Sequence, residues 1–191
     1  MRKLLLLVVV MLFGGAYATA QKFEVSGGYN YLHVARGGSS TDNGIPGGFY
    51  IDGTYYFAKE AIGLTGDFEY NKKTFGAGEL AAVSVAARDW SFHVGPRVKA
   101  RVGKAEPFAH ILFGVTDLNG TPAGATSVAD QAFSMKLGGG LDIAIAHRFA
   151  FRLGEFNYYM TRFRTASPVN LNGNNQQNNF TISTGIVIRL K

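Results

Sequence analysis

The sequence predicts an all-β fold in which eight antiparallel strands close into an up-and-down barrel. Eight segments alternate apolar and polar residues, and the gaps between them alternate between long and short. The gaps after the second, fourth and sixth segments are short, whereas the others are long and polar. Tight turns at one end and long loops at the other are typical of a transmembrane barrel of the bacterial outer membrane. The segments are residues 23–34, 48–57, 62–70, 90–101, 107–116, 131–145, 149–160 and 179–190.

The first twenty residues have the features of a secretory signal peptide. Arg2 and Lys3 precede an apolar run over residues 4–13, and Ala-Thr-Ala at 18–20 forms a small-residue cleavage site. The apolar run is too short to span a membrane as a helix, and the alternative is a retained N-terminal anchor. We expect cleavage after residue 20 and a single barrel domain over residues 21–191.

Composition agrees with one barrel domain and argues against several functions. The chain contains no cysteine, which excludes disulfide and thiol chemistry and a lipoprotein anchor. Its net charge of +6 is dispersed, with no basic cluster or recognition module, so we do not expect nucleic acid as a partner. Its 25 glycines and 13% aromatic residues suit a barrel with bends in its wall and interfacial aromatic girdles.

Each segment has an apolar face and a polar face, because side chains in a strand alternate between the two sides. In the third segment, for example, Ile62, Leu64 and Phe68 oppose Asp67 and Glu69. In chain order the polar faces carry Glu24 and Ser26; Asp52 and Thr54; Asp67 and Glu69; His93, Arg97 and Lys99; His110; Lys136 and Asp142; Arg152, Glu155 and Asn157; Thr181 and Ser183.

The seventh segment is the one that changes phase. Phe151 and Leu153 define its apolar face, but Phe156 and Tyr158 continue that face with a slip of one residue. An extra residue in one strand resets the alternation, so we predict a β-bulge near Gly154-Glu155.

Alternation alone does not show which face points inward. In a soluble eight-stranded barrel the apolar side chains surround a ligand, whereas in a membrane barrel they face lipid. The membrane arrangement is favoured by the continuous apolar faces, the aromatics near strand ends and the charges of both signs on the polar faces. We therefore expect a lumen plugged by a structural charge network. Its predicted members are Asp67, Glu69, Arg97, Lys99, Lys136, Asp142, Arg152 and Glu155.

Several stretches resemble the small eight-stranded outer-membrane β-barrel domain family, which includes the OmpA transmembrane domain, OmpX and opacity-like proteins. They include residues 66–68 (Gly-Asp-Phe), 95–97 (Gly-Pro-Arg) and 137–142 (Leu-Gly-Gly-Gly-Leu-Asp). The resemblance implies an outer-membrane location, with membrane lipid and the barrel-assembly machinery as partners. It implies no shared ligand, reaction or cofactor. Such barrels usually end on an aromatic residue, whereas this chain has Leu190 followed by Lys191.

The candidate catalytic and metal-binding residues have simpler interpretations. The histidines lack H-x-H or HExxH spacing, so we expect no metal site and interpret His93 and His110 as lumenal hydrogen-bonding groups, with His110 near Arg97 or Lys99. Ser91 and Ser134 lie on polar faces without a nucleophile motif, and we assign no catalytic or cofactor-binding residue.

The leading hypothesis is a non-enzymatic outer-membrane protein with a structural or surface-interaction role. If the protein binds an extracellular ligand, four long loops are the expected place, because function concentrates on loops carried by a rigid scaffold; the alternative is that the loops only cap the barrel and keep it hydrated. The first contains residues 36–44, the second lies around 80–87, the third contains 119–124 and the fourth contains 170–178. Two alternatives are a secreted soluble barrel that binds a small apolar ligand and a lipid-modifying outer-membrane barrel enzyme.

Overall fold

The computed structural model describes residues 23–34, 44–58, 61–76, 85–124, 128–163 and 176–190. Residues 1–20, the expected signal peptide, lie outside this range, as do most residues of the first, second and fourth loops. No helix in the described residues is long and apolar enough to cross a membrane.

Eight antiparallel strands close into a single barrel in which every strand pairs with its neighbours in sequence. The barrel is closed by the pairing of β1 with β8, from Phe23 opposite Leu190 to Val34 opposite Asn179. Closure leaves no unpaired sheet edge, which a bilayer requires because lipid cannot hydrogen-bond to the backbone. The strands are β1 (Phe23–Val34), β2 (Gly44–Ala58), β3 (Ile62–Phe75), β4 (Val85–Lys99), β5 (Ala105–Pro122), β6 (Val128–Ala146), β7 (Phe149–Phe163) and β8 (Gln176–Leu190).

The predicted segments match the strands well at the short turns and less well at the long loops. The prediction for the third loop is wrong in part, because β5 continues through Asn119 and Gly120 to Pro122. Asn119 and Gly120 pair with Ala129 and Val128 of β6, so the ladder extends beyond the apolar segment. Strands pair through backbone hydrogen bonds and do not need apolar side chains. The mostly polar residues 117–121 therefore lie beyond the lipid-facing region but still within the strand.

The apolar faces point outward and the polar faces point into the lumen. Side chains such as Ile51, Leu64 and Phe156 are 51–54% exposed, whereas Arg97, Arg152 and Asp142 are 0–2% exposed. This facing is the opposite of what a soluble barrel with an apolar interior requires. The hypothesis of a secreted barrel that binds an apolar ligand inside is therefore wrong.

The predicted β-bulge is confirmed at Leu153-Gly154, next to the expected position. Leu141 and Asp142 of β6 pair with Gly154 and Arg152, so Leu153 has no opposing residue. The bulge restores the alternation, and both Arg152 and Glu155 are buried in the lumen although they are three residues apart.

The outer surface has the dimensions and aromatic borders of a membrane band. On β7 the outward side chains run from Phe149 to Tyr158, about nine residue steps that rise about 23 Å at a tilt of about 40°, close to the usual band of about 25 Å. Aromatic rings contact one another near the loop end, with ring centroids 5.7 Å apart for both Phe49–Tyr70 and Tyr158–Phe180.

Replacement of Ile111 by Lys tests the membrane band. Ile111 is 43% exposed at the middle of the outward face of β5, and a charge there would have to enter lipid. We expect the free energy of unfolding in lipid vesicles to fall by about 2–4 kcal/mol, measured by urea titration. Thr121→Lys, on the same strand beyond the band, should change it by about 1 kcal/mol or less. Equal effects of the two substitutions would contradict the proposed band.

Candidate functional site

The lumen is lined by ionisable side chains, and all eight residues of the predicted charge network lie within it. The buried charged residues are Glu24, Asp52, Asp67, Glu69, Asp89, Arg97, Lys99, Glu106, Lys136, Asp142, Arg152 and Glu155. Glu24 and Asp52 were predicted to lie on polar faces but were not included in the network. Asp89 and Glu106 were missed because each lies just outside an alternating segment. The sequence analysis placed Glu106 in a short turn, where no facing can be predicted. In the structure Glu106 belongs to β5, and its side chain points into the lumen.

The centre of the lumen is organised around Asp52, which binds two arginines. Arg97 approaches the Asp52 carboxylate with both terminal nitrogens, at 3.3 Å and 3.2 Å. Arg152 Nη1 donates to the same carboxylate at 2.6 Å. Both guanidinium carbons also lie over the ring of Phe108, at 4.7 Å and 4.5 Å from its centroid. Bidentate and ring contacts of this kind favour Arg over Lys at these positions.

A second set of contacts joins the two arginines on the other side of the lumen. Arg152 Nη1 donates to Glu155 Oε2 at 2.6 Å, and Asn157 Nδ2 donates to Glu155 Oε1 at 2.9 Å. His110 Nε2 lies 2.7 Å from Asn157 Oδ1, and Arg97 Nη2 lies 3.4 Å from His110 Nδ1. Because Arg can only donate, His110 accepts at Nδ1 and donates from Nε2. The prediction that His110 lies near Arg97 is confirmed.

At the short-turn end, Lys99 links the central group to the mouth of the barrel. Its ammonium donates to Asp142 at 3.1 Å and to Glu24 at 2.6 Å. Asp142 in turn accepts from Arg152 Nε at 2.9 Å, so one chain of ion pairs runs from Glu24 to Glu155. At the mouth, Arg189 Nη2 donates to Glu106 at 2.6 Å.

Toward the loop end, Lys136 holds a separate group of ion pairs. Its ammonium lies 2.6 Å from Asp67 Oδ1 and 2.7 Å from Glu69 Oε1. The ring of Tyr159 covers this ammonium with the centroid 5.5 Å away, and the Tyr159 hydroxyl hydrogen-bonds to Thr116. Leu32 and Ile45 pack with Tyr159 in a small apolar cluster at this end of the lumen.

One arrangement in the lumen has the residue types of a catalytic triad. His93 Nε2 lies 2.8 Å from Ser134 Oγ, and His93 Nδ1 lies 3.4 Å from Asp67 Oδ1. All three side chains are buried, Asp67 is already bound to Lys136, and Ser134 Oγ also accepts a hydrogen bond from Thr116. A catalytic serine needs free space beside its hydroxyl for the reacting atom of a substrate. In this lumen Ser134 Oγ is instead hydrogen-bonded to His93 and Thr116. Among the described residues, no group of three or more His, Asp or Glu is arranged to hold a metal ion.

A sequence profile of the outer membrane protein beta-barrel domain matches residues 4–187. The chain belongs to this family. No curated protein sequence is significantly similar to it.

Solved structures show the same fold at low sequence identity. Ail, the attachment invasion locus protein of Yersinia pestis, was solved with the heparin analogue sucrose octasulfate and is 17% identical, covering 90% of this chain and 100% of Ail with a TM-score of 0.60. Neisserial surface protein A is 10% identical, covering 90% of this chain and 98% of that protein with a TM-score of 0.60. Family membership and fold together place this barrel in the bacterial outer membrane.

The last strand of this outer-membrane barrel, β8, ends at Leu190. Leu190 is 48% exposed on the lipid-facing side and pairs with Phe23 of β1.

Replacement of Arg152 by Met tests the central ion pairs. The substitution leaves the buried carboxylates of Asp52, Asp142 and Glu155 without their shared cation. Removing one partner of a buried ion pair costs about 3–5 kcal/mol, and we expect the free energy of unfolding in detergent micelles to fall by about that amount. Arg162→Met, at an exposed position of the same strand, is the matched control. A loss below about 1 kcal/mol for both variants would show that the pairs do not stabilise the barrel.

Proposed function

We propose that this protein is a non-enzymatic outer-membrane barrel with a plugged lumen and a structural or surface-interaction role. The observation that carries the proposal is the succession of buried ion pairs along the lumen, from Glu24 at the short turns to Glu69 toward the loops. An eight-stranded interior is only wide enough for side chains to fill it.

Two of the ion pairs cross the lumen rather than follow its wall. Arg152 on β7 reaches Asp52 on β2, and Lys136 on β6 reaches Asp67 on β3. In both cases two other strands separate the partners around the barrel on the shorter side. Side chains that meet across the interior support a closed lumen, because they occupy the space through which a solute would pass.

Burial of Ser134, His93 and Asp67 supports a role without catalysis. The three side chains are close to one another but fully enclosed, and the rings of His93 and Tyr159 meet edge to face with centroids 5.6 Å apart. A lipid substrate approaches a barrel from its outer surface or its rim, and neither route reaches Ser134 Oγ without opening the lumen.

Surface interaction is supported by the extracellular extension of the strands. β5 and β6 contain 18 and 19 residues, about twice what a tilted strand needs to cross the hydrocarbon layer. The complex of Ail with a heparin analogue shows that a protein of this fold binds a sulfated saccharide. We propose that the loops of this chain likewise bind an extracellular ligand, while outer-membrane lipid surrounds the barrel.

Export and insertion complete the proposal. Residues 1–20 act as the signal peptide and residues 21–191 form the barrel domain. The barrel-assembly machinery inserts the chain and recognises β8, with Leu190 in the position of the usual terminal aromatic.

Conductance in a planar lipid bilayer tests the plugged lumen. We expect no sustained channel opening by the wild-type barrel, because the ion pairs of Arg152 and Lys136 cross the lumen at two levels. A gel shift between unboiled and boiled samples shows that the same preparation is folded. Stable conductance steps from folded wild-type protein would refute a closed lumen and would favour a diffusion pore.

A fluorophosphonate probe tests the absence of serine hydrolase chemistry. We expect no labelling of Ser134 in the folded barrel, because its hydroxyl is buried and already bonded to His93 and Thr116. Labelling that disappears in both Ser134→Ala and His93→Gln would establish an active nucleophile and refute the proposed non-enzymatic role. A surface serine hydrolase labelled in parallel shows that the probe is active.

A further inference from the structure

A cavity of about 390 Å³ lies at the short-turn end of the barrel. It is formed by the turn between β4 and β5, the turn between β6 and β7, and the end of β8. Backbone hydrogen bonds fix its walls: Ala144 donates to the Lys104 carbonyl, and Arg189 donates to the Arg148 carbonyl, both at 2.8 Å. We call it the periplasmic basic cavity, because short turns face the periplasm in such barrels.

The lining of the periplasmic basic cavity is strongly cationic. Among the described residues, it is lined by Arg101, Lys104, Arg148 and Arg189 and by a single carboxylate, that of Glu106. Glu106 is engaged by Arg189 at 2.6 Å and by Arg101 at 3.4 Å. It therefore leaves the charges of Lys104 and Arg148 uncompensated, and neither forms an ion pair with another described residue. Both side chains are exposed.

The cavity borders the lipid-facing surface. Ile145, which also lines it, is 69% exposed at the lower end of the apolar band, and Phe149 across the next turn is 48% exposed. Val102, in the turn that carries Lys104, is also 69% exposed. Cationic side chains are thus placed at headgroup level with apolar side chains beside them at acyl-chain level.

We propose that the periplasmic basic cavity binds the phosphate of an anionic phospholipid in the periplasmic leaflet. Lys104 and Arg148 donate charge-assisted hydrogen bonds to the phosphate, and Ile145 contacts the first carbons of an acyl chain. These cations select a lipid whose phosphate carries a net negative charge, without an ammonium group in the same headgroup to compensate it. A soluble phosphate ester would use the same cations but would leave the exposed Ile145 and Val102 without a partner, and for this reason we assign the lipid.

Amine labelling of Lys104 tests the proposal in the folded barrel. The barrel is placed in nanodiscs of phosphatidylcholine alone or with phosphatidylglycerol, and labelling rates are measured by peptide mass spectrometry. Lys72, exposed at the opposite end, reports the general effect of the anionic surface on the reagent. We expect phosphatidylglycerol to slow labelling of Lys104 relative to Lys72 about fivefold, the effect of one cation interacting with an anionic membrane surface.

Two variants and one soluble ligand determine the outcome. Arg148→Gln should remove most of the Lys104 protection, whereas Arg162→Gln, the same change at an exposed position near the loop end, should leave it intact. Equal protection of Lys104 and Lys72, or equal behaviour of the two variants, would overturn the site. Full protection by glycerol phosphate in phosphatidylcholine discs would overturn the lipid assignment in favour of a soluble anion. The heat-induced gel shift confirms that each variant is folded. These results are independent of conductance and of the loops, so the site and the proposed function can fail separately.

Discussion

Ion pairing between side chains inside a closed barrel is the constraint on which the rest of this structure depends. Among the described residues, eight carboxylates and four Lys or Arg side chains are buried in the lumen, where isolated charges would be very costly. Arg152 contacts Asp52, Asp142 and Glu155, and its position depends on the bulge at Leu153-Gly154. The bulge and the ion pairing are therefore linked, because the extra residue in β7 places both Arg152 and Glu155 on the lumenal side of the barrel wall.

The bilayer explains why these charges lie inside at all. A soluble barrel of the same size would bury Ile51, Leu64 and Phe156 and expose Arg97 and Asp142, whereas the observed arrangement is reversed. Apolar side chains on the outer surface contact lipid instead of water, so their exposure has no free-energy penalty. The polar side chains of each strand then point into the barrel interior. With no apolar core of ordinary size, cross-lumen ion pairs and the closed backbone ladder hold the strands together.

The two ends of the barrel differ in chemistry, which bears on function. Toward the loops, the Lys136 ammonium lies against the ring of Tyr159, which packs with Leu32 and Ile45, and the ladder of β5 and β6 continues beyond the apolar band. At the short turns the lumenal acids meet a surplus of cations from Arg101, Lys104, Arg148 and Arg189. The ion-paired middle of the lumen thus separates the loop-bearing end of the barrel from its basic end at the opposite membrane surface.

The sequence by itself determined the strand number, the positions of the short turns, the bulge and the polar face of each strand. These are local properties, because the period of two and tight turns are visible within a few residues. Alternation is symmetrical between the two faces, so only the folded barrel decided that the charges are inside. The sequence also did not determine which charged side chains pair in the lumen. Lys136 contacts Asp67 and Lys99 contacts Glu24 because closure of the barrel brings distant strands face to face at the same height. Asp89 and Glu106 show the same limit, since strand ends depend on pairing with the neighbouring strand and not on side-chain polarity.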